Sequence, residues 1–271
     1  MQRENPFTGL SARTQGAVAS VGRGVIGMGH GIVGYLEFFK EISVQMFRPP
    51  FRINLVTQQL EFIGNQSLNI ILLTGFFTGA VFGLQIGGIF DIFKAAGILG
   101  AATGKALARE LSPMMTAFLL TGRAGSAMTA EIATMRVNEQ VDAMEAMAVN
   151  PVSYLVVPRV IASLIMTPLL CGVFTFIGVV GAFITGVLLF DVDQSVFFGK
   201  IIEYVDPEDL WYGFQKALVF SLVVASMACR YGLRASGGAK GVGSATTNSV
   251  VMTLLALLIV DFIITYFQVG H

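Results

Sequence analysis

The block from Val156 to Phe190 holds 35 predominantly apolar residues, and roughly 20 suffice for a helix to cross the hydrocarbon core of a bilayer. Four more apolar runs accompany it, at about Leu68 to Phe90, Leu107 to Met128, Leu210 to Arg230 and Ser249 to Val269. No core that this chain could build among soluble layers would absorb so much apolar surface. Only 13% of its residues are charged and 54% are hydrophobic, against roughly 25% charged in an ordinary soluble domain. In lipid every backbone polar group needs a partner within its own segment, so runs of this length read as helices. The expectation is an all-α integral membrane protein with about five transmembrane helices.

Residues 1–60 form a separate N-terminal segment in this reading, and residues 61–271 the transmembrane domain. Residues 1–30 are Gly-rich, carry Arg3, Arg13 and Arg23, and lack the continuous apolar core of a cleavable signal peptide. Across 31–60, Ile32, Val33, Leu36, Phe39 and Phe47 alternate with Lys40, Glu41, Arg48 and Arg52. That pattern suits an interfacial helix, broken at Pro49-Pro50. Pro158 and Pro168 suggest a kinked or tilted third span.

Lysine and arginine placement sets the topology. Six precede the first span. Arg123, Arg136 and Arg159 surround the second-to-third connection, and Arg230, Arg234 and Lys240 the fourth-to-fifth. The third-to-fourth connection instead holds Asp191, Asp193, Glu203, Asp206 and Glu208 against Lys200. The N-terminus is therefore expected inside and the C-terminus outside.

Several features bear on chemistry, and two lookalikes drop out. Gly22 to Gly27 matches G-x-G-x-x-G but follows no strand. Gly100 to Lys105 is one residue short of a Walker loop and is followed by Ala106 rather than a hydroxyl. The only histidines, His30 and His271, lie at opposite ends of the chain, and Cys171 and Cys229 sit in apolar stretches. No metal site and no disulfide framework follow, and Cys171 and Cys229 read as buried, inert thiols. Gly75, Gly79, Gly83 and Gly87 recur every four residues, a flat stripe where another helix can approach; Gly178, Ala182 and Gly186 form a second. Between Glu131 and Met147, Val137, Val141, Met144 and Ala148 share one face of a short amphipathic helix, with Glu139, Asp142 and Glu145 on others. It is either a solvated connector or a docking helix for a soluble partner. Arg109-Glu110 in the second span is either an interfacial anchor or a charged pair at a cavity mouth. Asp209 and Lys216, seven apart, share a face of the fourth span and pair with each other through a network or with neighbouring spans. Asp261, in the last span, needs a partner, an interior face or the nearby interface.

The runs Gly83-Leu84-Gln85, Ala108-Arg109-Glu110-Leu111-Ser112-Pro113, Gly122-Arg123-Ala124-Gly125-Ser126-Ala127, Ala130-Glu131-Ile132 and Thr134-Met135-Arg136 resemble the MlaE family, as do Glu139-Gln140, Met147 to Pro151, Val157-Pro158-Arg159 and Asp261-Phe262. The resemblance extends in order from about residue 30 to 271. It implies an ABC transporter permease that moves phospholipid between the inner and outer membranes of Gram-negative bacteria, as a homodimer enclosing a lipid cavity open to the periplasm. It makes the segment after the second span, about 131–148, a cytoplasmic coupling helix seated in a separate ATPase, with Glu131, Thr134, Met135, Arg136, Glu139, Asp142 and Met144 as contacts. It implies a periplasmic MCE lipid-binding protein, and often a small STAS-domain protein on the ATPase. Leu84, Gln85, Arg109 and Glu110 become cavity candidates, although Ile86, Gly87 and Gly88 stand where some members carry an aromatic residue. Asp209, Lys216 and Asp261 match family positions of the same residue type.

The sequence thus reads as a non-catalytic permease subunit of the inner membrane, with no cofactor of its own, ATP and magnesium being held by the ATPase, and with no nucleic acid partner. The rivals are a secondary transporter, which would want internal repeats and midplane charges, and a non-transporting scaffold.

Overall fold

The computed structural model describes residues 33–49 and 52–269. The Gly22 to Gly27 run, His30, His271 and the first three arginines lie outside the described residues. Two compact units divide at Arg48 and Pro49. The first contains helix α1, residues 33–46, which ends just before Pro49. Residues 53–60, expected with the N-terminal segment, instead form the first turns of a long helix in the second unit.

The second unit is built wholly from helices among its described residues. These are α2 (Ile53–Ile92), α3 (99–137), α4 (Gln140–Ala146), α5 (Val152–Phe190), α6 (Gln194–Tyr204), α7 (Pro207–Leu233) and α8 (Gly238–Val269). Four of them, α2, α5, α7 and α8, are long and apolar enough to cross a membrane. Only 11% of the most apolar window of α8 is covered by protein, which leaves that helix a broad surface for lipid.

The run expected to be the second crossing, 107–128, lies within α3, which is not among those four. The reason is position. Helix α3 packs against α2, α5, α6, α7 and α8, so protein rather than lipid surrounds it and polar side chains are admitted. Thr103, Ser112, Thr116, Thr121 and Thr129 are all buried there. Thr103, Thr121 and Thr129 donate back to the carbonyls four residues earlier, at 2.7, 2.8 and 2.9 Å, which spares most of the cost of burying a hydroxyl. The Walker-like Gly100 to Lys105 is helical here rather than a loop.

The α2–α5 contact is zipped by glycine. A Cβ on Gly75 would lie 2.6 Å from Ile177 Cγ2, one on Gly79 would fall on the Gly178 backbone, and one on Gly83 would come within 3.0 Å of Ala182 Cα. Between helices in lipid, where apolar burial supplies little drive, such backbone approach gives the van der Waals contact that holds them. Gly186 turns to Leu99 of α3 instead. Around this seam Ile63, Ile71, Leu107, Leu120, Met128, Leu170 and Phe174 form the main core. Leu99, Ala182, Val192 and Phe197 close the end beside α6. Cys171 and Cys229 are buried and unpaired. Helix α5 runs on through Pro168.

Four π turns widen the bundle helices, at Glu61–Asn65 in α2, Leu107–Leu111 and Thr121–Gly125 in α3, and Val152–Val156 in α5. Such turns shift the register of everything beyond them and recur at functional places.

The single helix expected over 131–148 is not what forms. Residues 131–137 finish α3, with Ile132 and Ala133 buried, and α4 is a separate seven-residue helix. Between them Glu139 takes a left-handed conformation, φ 59°, a break that costs a side-chain-bearing residue about 1–2 kcal/mol. Burial decides it. The corner turns Val141 inward, 2% exposed, which a straight continuation of α3 past Val137 would not bring back to the bundle.

Candidate functional site

At the α6 end of the bundle, charges from three helices meet. Lys216 of α7 is fully buried and donates to Glu110 Oε2 of α3 and, at 2.7 Å, to Thr265 Oγ1 of α8; Asp261 Oδ1 lies 3.2 Å away. A buried ammonium is tolerable only with such partners. One turn from the start of α7, Asp209 takes Lys105 at 3.3 Å and Arg109 at 3.5 Å, and accepts from the Asp206 backbone N–H at 3.0 Å. The Arg109 guanidinium also covers the Tyr212 ring, 4.9 Å to its centre.

Asp209 and Lys216 do share a face of α7, directed at α3. They do not pair with each other; each takes partners on other helices, one group around Asp209 and another around Lys216. Arg109 and Glu110 are thereby fastened into different pairs. Lys105, which completes the Asp209 site, lies 104 positions from it, and no spacing in the sequence signals that contact.

Beside this network an open groove of about 330 Å³ runs between α2 and α3, lined by Phe77, Thr78, Val81, Phe82, Gln85 and Leu111. Its walls are apolar and aromatic apart from one hydroxyl and one amide. Gln85 is in the lining. Leu84, its neighbour, is 41% exposed and outside it. Phe77 and Phe82 were not singled out from sequence, because aromatic residues in an apolar run carry no mark of the groove they face.

At the opposite end lies the α3–α4 corner. Glu131 accepts from Arg159 of α5 at 2.7 Å, and Arg159 also donates to the Leu155 carbonyl at 2.6 Å. Arg136 bonds Asp142 across the corner. Glu139 is exposed, Met135 and Met144 are half-buried, and Thr134 donates to the Ala130 carbonyl at 2.8 Å. A cleft of about 500 Å³ separates this corner from the turn joining α7 to α8. Further into the bundle Arg123, read from sequence as a topological marker and as part of a family run, with no contact assigned to it, reaches from the α3 π turn to the Phe62 carbonyl, to Gln66 and to Ser67 Oγ at 3.0 Å, all on α2.

Long apolar helices with ion pairs carried between them define a multi-pass membrane protein. The family model described as Permease MlaE matches residues 56–267. Relatives with the name "Probable ABC transporter permease protein" include one from Rickettsia prowazekii, 38% identical over 234 residues, covering 86% of this chain and 90% of that protein. One from Synechocystis is 39% identical over 209 residues, 77% and 80% of the two chains; one from Porphyra purpurea is 38% identical over 233, 86% and 89%. The chain belongs to the MlaE permease family of ABC transporters, and is a transporter subunit rather than a catalytic enzyme.

Proposed function

We propose that this permease carries phospholipid between the inner membrane and a periplasmic carrier of the MCE type, maintaining outer-membrane lipid asymmetry, as a homodimer driven by a separate ATPase. The observation that carries the reading is the groove between α2 and α3. Phe77, Val81, Phe82 and Leu111 offer an apolar wall to acyl chains, while Gln85 offers an amide to a more polar part of the ligand. In this scheme the α6 end faces the periplasm and the α3–α4 corner the cytoplasm. Trp211, Tyr204 and Tyr266, all exposed at the α6 end, supply the aromatic side chains that a membrane interface favours, and Arg136, Arg234 and Lys240 at the other end agree with the positive-inside rule. The N-terminus is then cytoplasmic and the C-terminus periplasmic. ATP and magnesium belong to the ATPase, on which a STAS-domain protein can sit. Closure of the ATPases pushes on the corner, and α3 carries that push to the groove wall and the ion pairs around Lys216.

The test is photo-crosslinking to phospholipid in proteoliposomes containing the ATPase. Benzoylphenylalanine at Phe82 should capture lipid in an ATP-dependent manner, whereas at Ile259, on the lipid-exposed face of α8, capture should ignore ATP. Equal, ATP-independent capture at both positions contradicts the proposal.

A further inference from the structure

We infer that the ATPase grips this permease through a two-walled cleft, in which the turn between α7 and α8 is the second wall beside the α3–α4 corner. The inference rests on the reading above that an ATPase binds at the corner, and adds where else it holds. One wall of the 500 Å³ cleft is Arg136, Val137, Glu139 and Asp142; the other is residues 233–238.

The charges say what fits. Arg136 and Asp142 satisfy each other. On facing walls, Glu139 and Arg234 are exposed, and neither side chain has a bonded partner among the described residues. A protein surface that inserts a carboxylate towards Arg234 and a cation towards Glu139, with apolar atoms resting between Val137 and Leu233, complements the cleft; a surface resting on the corner alone leaves Arg234 unmatched. Gly237 and Gly238 line the same wall at φ +90° and +67°, and both have open space where a Cβ would stand, so an incoming backbone can approach closely.

The second wall also has mechanical standing. The Thr129 hydroxyl of α3 lies 3.1 Å from the Ala228 carbonyl of α7 and 2.9 Å from Ser249 Oγ of α8. A Cβ on Gly232 of α7 would come 2.8 Å from Ile132 Cβ of α3. The three helix ends that frame the cleft are therefore fastened together, and force applied to either wall moves all three.

The experiment uses single cysteines at Ser236 and at Glu139 in the full-length permease, purified with its ATPase. The native Cys171 and Cys229 are buried, so background labelling is low. Maleimide labelling is compared between the intact complex and membranes stripped of ATPase. Protection of both positions, by about tenfold, the factor that one decade in affinity gives, is the expected result. Protection at Glu139 with free labelling at Ser236 overturns the second wall and leaves the ATPase reading standing. Failure of any ATPase to co-purify with the wild-type chain removes the reading beneath it as well. As a second measure, Arg234→Glu should weaken retention of the ATPase about tenfold, since an opposed pair becomes a repulsive one, while Lys240→Glu, outside the cleft lining, should not; equal retention by both variants overturns the proposal.

Discussion

Arg123 of α3 donates to the main-chain carbonyl of Phe62 in α2, so that the guanidinium joins two π turns on neighbouring helices. The same side chain holds Gln66 and Ser67, and stacks over the Phe62 ring at 4.7 Å. One residue thus ties the glycine-zipped pair α2–α5 to α3, at the place where both ladders are widened.

Arg123→Met should therefore destabilise the permease by about 1–3 kcal/mol, the penalty for leaving partly buried acceptors unsatisfied. Arg123→Lys should recover less than half of that, because a single ammonium cannot span acceptors arranged for a planar fork. Thermal unfolding in detergent, followed by circular dichroism, measures both; a Lys variant as stable as the wild type would assign the effect to charge alone.

Gly79→Val should separate α2 from α5. The added Cβ meets the Gly178 backbone, which cannot rotate aside as a side chain can, and overpacking of this kind costs about 1–3 kcal/mol. Gly88→Val, nine residues further along the same helix and facing open space, should be close to neutral. Comparing the melting temperatures of the two variants tests whether α2 is sensitive on the striped face only.

Lys216→Met should be among the most damaging single changes. It leaves Glu110, 39% exposed, and Asp261, 18% exposed, without their cation; breaking a fully buried pair from one side costs about 3–5 kcal/mol, and the residual exposure of the two carboxylates lowers the cost here. Adding Glu110→Gln and Asp261→Asn to it removes the orphaned charges and should restore most of the stability. If the triple variant is no more stable than the single one, packing of the lysine stem rather than its charge holds the three helices.

Asp193 caps α6, its carboxylate accepting from the Ser195 hydroxyl and from the Ser195 and Val196 backbone N–H groups. The hydroxyl bond first, then the two backbone bonds, hold its carboxyl below the ordinary 3.8. The folded value is depressed, so the cap is complete above the ordinary carboxylate range and is lost as pH falls through the lowered value. Amide exchange at Val196 should accelerate below about pH 4 in the wild type. In Asp193→Asn, which cannot be protonated there, that added acceleration should be missing.

What the sequence determined by itself was that the chain is helical and belongs in lipid. Run length, glycine period and the placement of arginine give helices and lipid directly, because those quantities depend on neighbours three or four residues away along the chain, and family motifs name the class. Partners on other helices were beyond its reach. Asp209 finding Lys105 and Arg109, Lys216 finding Glu110 and Asp261, and Gly213 and Gly232 of α7 touching α3 at Ala108 and Ile132 are decided by which helix faces which. So are the enclosure of α3, which lets it be the least apolar of the long helices, and the corner at Glu139, where burying Val141 outweighs continuing a helix that local pattern alone would have extended. These contacts join residues up to 106 positions apart, and only packing, through space, selects among them.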